Sequence, residues 1–211
     1  MDTTDKVRIA ITGHTRGLGK CLYDKLAEQG HDVNGFSRSN GYDISDPEAR
    51  QQIVNESQDA DIFINNAWPN GDPPMNKPEQ FIGQTELLKL MIGVWDKEKD
   101  KKILNISSKA SFNSEDVNYF LENYGKAKRE QNKIIEDRIN TYGPHILNVI
   151  LGCTNTQISE YFEGKKIDPA ELSQWLIKML MCETMYFQSV TVDAPRLDYK
   201  PDPDKFFLLD F

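Results

Sequence analysis

The sequence predicts an α/β fold: a doubly wound parallel sheet of six or seven strands with helices on both faces. Three observations carry this reading. Short β-branched apolar runs recur along the chain, amphipathic stretches of helical period separate them, and Gly, Pro, Asn and Asp punctuate the junctions. The 211 residues fit one domain, 1–211, with a real core, and 38% hydrophobic and 27% charged residues are ordinary globular values.

The elements follow in order. Residues 7–11 (VRIAI) read as a buried strand, and Leu18, Leu22, Leu26 and Ala27 recur at helical spacing until Gly30 stops the helix. A second strand lies within 31–37. Residues 47–57 form a helix with Asp46 as N-cap and Pro47 at its first position. DIFIN (61–65) is a buried strand, 68–78 a loop, 79–96 a long helix and KILNIS (102–107) a strand. Residues 115–141 are mainly helical, 146–151 a strand, 169–183 a helix and 189–192 the last strand. One junction is irregular. Only Ser39, Asn40 and Gly41 separate the second strand from residues 42–45. A parallel crossover needs about a dozen residues. The sequence therefore predicts a short extended segment at 42–45 and a trimmed sheet edge.

Charge and cysteine content narrow the function. A net charge of −8 argues against a general nucleic-acid binder, which needs a basic face. The three cysteines and three histidines are scattered, so neither a disulfide framework nor a metal site is expected. No stretch approaches the roughly 20 apolar residues of a membrane span. Residues 1–6 carry no apolar signal region, and the expected setting is cytoplasmic.

The chemistry begins at TGHTRGLG, residues 12–19. A strand, a glycine-rich turn and a helix start together make an anion site, because free backbone N–H groups and the helix dipole converge there. Gly13 turns sharply off the strand, Gly17 allows close approach of a pyrophosphate, and Gly19 lets the helix pack near the sheet. Alone, this stretch is equally compatible with a plain strand-to-helix turn. Three later stretches add to it: Asn65-Asn66-Ala67 ends one strand, Ser107-Ser108 ends another, and Tyr124 and Lys128 stand four apart on one helix face.

In this order the motifs resemble the short-chain dehydrogenase/reductase family, whose fold is a Rossmann-type sheet. TGHTRGLG is similar to its T-G-x-x-x-G-x-G loop, INNA to NNAG, NISS to its serine strand, YGKAK to Y-x-x-x-K, and LGCTNT to its P-G-x-x-x-T segment. The resemblance runs from about residue 6 to residue 194. It implies an NAD(P)(H)-dependent oxidoreductase acting on a carbonyl or hydroxyl group of a small molecule. Tyr124 would be acid/base, Ser108 would bind the substrate oxygen, and Lys128 would tune Tyr124 and hold the nicotinamide ribose. A phenol of pKa about 10 needs such help near neutrality, and a nearby ammonium lowers it. Cofactor contacts would come from Gly13, Thr15, Arg16, Gly17, Leu18, Gly19, Asn65, Asn66, Ala67, Lys128 and Thr156. Asp43 and Ile44 resemble the pair that contacts adenine. A homodimer or homotetramer is implied by the same resemblance.

The position that selects the nicotinamide falls on Ser37, followed by Arg38. Arg16 and Arg38 without a carboxylate suit a 2′-phosphate, so NADP(H) is expected over NAD(H). Four features depart from the family pattern. Trp68 replaces the glycine of NNAG, Ser108 and Tyr124 are sixteen residues apart, only Gln84 stands near the place of a helix asparagine, and about a dozen residues separate Thr156 from Asp168. These features leave a second reading open, a catalytically silent NADP(H)-binding sensor or interaction protein. A sugar-nucleotide epimerase is disfavoured by the glycine spacing and the short C-terminal region.

Overall fold

A computed structural model of the chain describes residues 6–68, 79–112, 119–138, 141–155 and 165–194. Among the described residues six strands form one sheet: β1 (Arg8–Thr12), β2 (Asp32–Phe36), β3 (Ile62–Asn65), β4 (Lys102–Ser108), β5 (His145–Leu151) and β6 (Ser189–Val192). Their spatial order is β2-β1-β3-β4-β5-β6, and every pairing is parallel. Among the described residues five α-helices connect them: α1 (Gly17–Glu28), α2 (Pro47–Ser57), α3 (Glu79–Val94), α4 (Tyr119–Glu136) and α5 (Pro169–Leu180). From β1 the chain winds first to β2 on one side and then to β3 on the other. This reversal opens a crevice at the C-terminal ends of β1 and β3, where ligands of open α/β sheets sit.

Period-two alternation sorts the strand side chains into two cores. Ile9, Ile11, Ile64, Leu104 and Val149 face Leu22 and Leu26 of α1 and Leu176 and Leu180 of α5. Ala10, Phe63, Ile103 and Ile146 face Ile53 of α2, Leu87, Leu88 and Met91 of α3, and Ile135 of α4. The predicted cap forms, Asp46 accepting from Glu48 N at 3.0 Å, and the structure adds a second at α5, where Asp168 accepts from Ala170 N at 2.7 Å. No described helix is long and apolar enough to cross a membrane.

The edge is trimmed, with β2 outermost. Residues 42–45 form no strand. Asp43 Oδ1 instead accepts from Ser45 N and Oγ at 2.9 and 2.7 Å, turning the segment into α2. The helix predicted over 79–96 ends at Val94, and Trp95 is buried, with its indole N–H donating to Gln58 O at 3.2 Å.

One step beyond Phe63, Ile103 and Ile146 on the same face, the apolar core gives way to asparagine. Asn65, Asn105 and Asn148 lie directly opposite one another in register. Asn65 Nδ2 donates to Asn105 Oδ1 at 2.9 Å, and Asn105 Nδ2 to Asn148 Oδ1 at 2.9 Å. Asn148 Nδ2 continues to Asn132 Oδ1 of α4 at 3.0 Å. All four are buried. Replacing the central member, Asn105→Leu, leaves Asn65 and Asn148 each short of a partner. Urea unfolding is expected to show a loss of about 1–3 kcal/mol for each group left unpaired.

Candidate active site

The glycine loop and the turn after β3 are built as one unit. Thr12, last in β1, accepts at Oγ1 from Asn66 N (3.1 Å) and Ala67 N (2.9 Å) and donates to Ile64 O (3.3 Å). Asn66 Nδ2 returns a bond to Thr12 O at 3.0 Å. Gly13 (φ +73) and Gly17 (φ +55) occupy left-handed backbone, which disfavours a side chain. A Cβ at Gly19 would lie 2.1 Å from Gly13 O, so only glycine lets α1 start this close to the loop. Leu18 is buried in the core, while Thr15 and Arg16 are exposed at the loop tip. Unlike α2 and α5, α1 has no side-chain cap on its first turn. The loop thus retains the room and the first-turn N–H donors that a pyrophosphate requires, and these residues fit a dinucleotide.

At the end of β2, Ser37 N donates to Asn40 Oδ1 at 2.7 Å, and Ser37 Oγ bonds Ser39 Oγ at 2.8 Å and Asn40 Oδ1 at 3.0 Å. These bonds curl residues Arg38–Asn40 into a 3₁₀ turn with Arg38 exposed. The side chain of Ile44 is in the core beside Phe36, and that of Asp43 caps its own turn. Thr156 lies outside the described residues.

Further along the sheet, Ser108 ends β4 and shares a side-chain hydrogen bond with Tyr124 of α4. Ser108 Oγ accepts from Ala110 N at 3.2 Å, which leaves its own proton to donate. Ser107 is occupied elsewhere, donating to Asn132 Oδ1 at 2.7 Å. The approach of α4 depends on Gly125, the residue after Tyr124. A Cβ there would stand 2.6 Å from Ala110 O in the turn Lys109–Phe112.

Lys128 lies one helical turn beyond Tyr124 and is only 2% exposed. Its ammonium donates to Gln84 Oε1, to Ile106 O at 2.8 Å and, more weakly, to Gln131 Oε1 at 3.4 Å. Trp68 covers the pair. Its ring meets Tyr124 edge-on at 4.5 Å, and Lys128 Nζ lies 5.2 Å from its centre. Burial pushes the Lys128 pKa down to about 7. Burial likewise pushes the Tyr124 phenol up, and the Ser108 hydrogen bond offsets part of that. The sequence led us to expect Lys128 to lower Tyr124. The dry surroundings instead favour the neutral form of both groups.

Gln131, Asn132 and Gly125 were missed from the sequence, and Gln84 was noted only as standing near the place of a helix asparagine. The available signal was polarity on buried helix faces, since all three amides are at most 8% exposed. A recess of about 270 Å³ lined by Lys99, Arg138, His145 and Tyr186 opens at the opposite end of the sheet, where β5 begins.

Comparison with known proteins gives the family and the fold. The family model for the NAD dependent epimerase/dehydratase family matches residues 9–183. The chain belongs to this family. Within it, the motifs are those of the short-chain dehydrogenase/reductase type. A 3-ketodihydrosphingosine reductase of Bacteroides thetaiotaomicron is 31% identical over an alignment of 124 residues, the match covering 47% of this chain and 46% of that protein. The match therefore spans about half the length of this curated relative. Among solved structures, a 3-alpha-hydroxysteroid dehydrogenase from a Pseudomonas species, complexed with NADH, aligns with a TM-score of 0.73 at 18% identity, covering 88% of this chain and 94% of that one. A short chain dehydrogenase from Burkholderia cenocepacia, in complex with NADP, aligns with a TM-score of 0.69 at 17% identity, covering 90% and 89%. At these identities the two structures speak to the fold.

Burial of Lys128 gives a testable pH dependence. Its folded pKa of about 7 lies below the ordinary value of 10.5, so between these values the unfolded chain binds more protons. Stability then rises with pH through that window, by up to about 1.4 kcal/mol per pH unit. Lys128→Met should abolish this slope in urea titrations run from pH 7 to pH 10.

Proposed function

We propose that the chain is an NAD(P)(H)-dependent oxidoreductase that transfers hydride between a nicotinamide cofactor and a carbonyl or hydroxyl carbon of a small molecule. The observation that carries the reading is the Ser108–Tyr124 hydrogen bond with Lys128 on the same helix face, along the same sheet edge as the glycine cradle. Gly13, Thr15, Arg16, Gly17, Leu18 and Gly19 would hold the pyrophosphate, and Asn65, Asn66 and Ala67 would wall the cleft. A nicotinamide bound there would supply or take up the hydride.

The protein's own share is the proton. In reduction the carbonyl carbon gains a hydride, and its oxygen gains the proton of the Tyr124 hydroxyl, giving an alcohol. The phenolate left behind is stabilised by the Ser108 hydroxyl and by the Lys128 ammonium, and a proton from solvent restores it. Oxidation runs the same transfers backwards, with Tyr124 as base. Burial keeps Tyr124 protonated at neutral pH, the form that reduction requires. If Lys128 is also to hold a ribose, it must exchange one acceptor, and the 3.4 Å contact with Gln131 is the weakest. Tyr124→Phe should retain cofactor affinity and lose turnover on a panel of ketones and aldehydes. Binding without turnover in both wild type and variant would instead favour a cofactor-sensing protein.

For the cofactor, the reading is NADP(H) over NAD(H). By the family resemblance Ser37 would fall where a carboxylate receives a free ribose; Arg38 follows it directly, and Arg16 is exposed on the glycine loop, whose Gly13 N donates to Phe36 O at 2.7 Å. Each guanidinium would give the 2′-phosphate charge-assisted hydrogen bonds of about 1.5–3 kcal/mol. Arg38→Ala and Arg16→Ala should each weaken NADPH binding about tenfold or more and leave NADH binding within about twofold, as read by fluorescence titration. We further propose one catalytic domain spanning 1–211, cytoplasmic, assembled as a homodimer or homotetramer, with no nucleic-acid or membrane partner.

A further inference from the structure

The face of α3 turned toward the sheet is apolar at Leu87, Leu88 and Met91, yet it carries Gln84 with no exposed surface at all. Both Gln84 Nε2 hydrogens are taken, by Asn65 O at 2.8 Å and by Ile106 O at 3.1 Å. The amide cannot flip, because flipping would set Oε1 against two carbonyls and Nε2 against the Lys128 ammonium. Oε1 therefore faces Lys128, which it receives directly. The main chain closes the clasp, since Asn65 Nδ2 donates to Gln84 O at 3.1 Å.

We infer that Gln84 is the positioning residue of the Tyr124–Lys128 pair: its locked side-chain amide aims the Lys128 amine against β4 without bringing a charge to it. This rests on the oxidoreductase reading above. The surroundings of Lys128 support it. From α3 comes Gln84, from α4 Tyr124 and Gln131, from β4 the carbonyl of Ile106, and from the loop after β3 the ring of Trp68. None of these is a carboxylate. The acidic groups nearest in sequence, Glu86 and Glu130, pair instead with Lys89 at 2.8 and 2.7 Å, where all three are partly exposed. A neutral clasp fixes where the amine points while leaving it free to gain or lose its proton. A carboxylate at Gln84 would hold it charged.

The test uses the full chain with ¹³Cε-labelled lysine, the Lys128 signal being assigned by its loss in Lys128→Met. Gln84→Glu should raise the pH at which Lys128 titrates by more than one unit. Gln84→Met should lower it, and should cut kcat about 10- to 100-fold with KM within about threefold, the pattern of a misaimed group rather than lost substrate binding. Should Gln84→Met fail to fold, Gln84→Asn carries the same test, since its amide is one methylene too short to reach Lys128 and both carbonyls together. Lys128 titrating alike in wild type and the folded variants would overturn the inference, as would an unchanged kcat. The titration needs no substrate, so a chain without turnover would strike the oxidoreductase reading while the clasp is judged separately.

Discussion

The buried amide ladder is the interaction on which the rest of the site depends. Asn65, Asn105 and Asn148 pair across β3, β4 and β5, and Asn132 carries the line onto α4. At its other end Asn65 and Gln84 exchange backbone and side-chain bonds, and Gln84 reaches α4 again through Lys128. The helix bearing Tyr124 is therefore held at two points by one closed circuit of polar groups. Each bond is modest when made, but an unmade one inside the core costs its full desolvation, so the circuit tolerates few alternative registers.

Close backbone approach completes what the ladder begins. Thr12 and Asn66 tie the glycine loop to the turn after β3, and Gly125 brings α4 against Ala110 O. Asn132 also donates to Ser111 Oγ at 3.0 Å, fastening the turn that follows Ser108. The Ser108 and Tyr124 hydroxyls thus meet because glycine removes a steric barrier and asparagine fixes the distance. Trp68, larger than the family pattern at its position, fills the space above Tyr124 and Lys128 and keeps both groups dry.

Much of this was legible in the sequence, for identifiable reasons. The glycines, Asn65, Ser108, Tyr124 and Lys128 sit at spacings that local geometry explains: a turn after a strand, or one helix face. The cap Asp46 announces itself beside a proline. The pairing of Asn105 with Asn148 was not legible, because it depends on registers between strands some forty residues apart. Gln84 looked like a mismatch because its meaning lies in a contact with Lys128 across two elements. The pKa directions were hidden for the same reason: sequence shows an ammonium four residues from a phenol, but not that both are out of water.

The trimmed edge has a consequence for association. With residues 42–45 turned away, β2 pairs only with β1 in the described sheet, and on its outer row Gly35 O is met by Asn40 Nδ2 at 2.8 Å rather than by a strand. Such a row is a template for adding a foreign strand. Here it is only five residues long, with Asp32 and Asn34 exposed along it and a glycine at its fourth position. Those features make a poor template, so the chain can leave this side of its sheet open and still resist edge-to-edge aggregation.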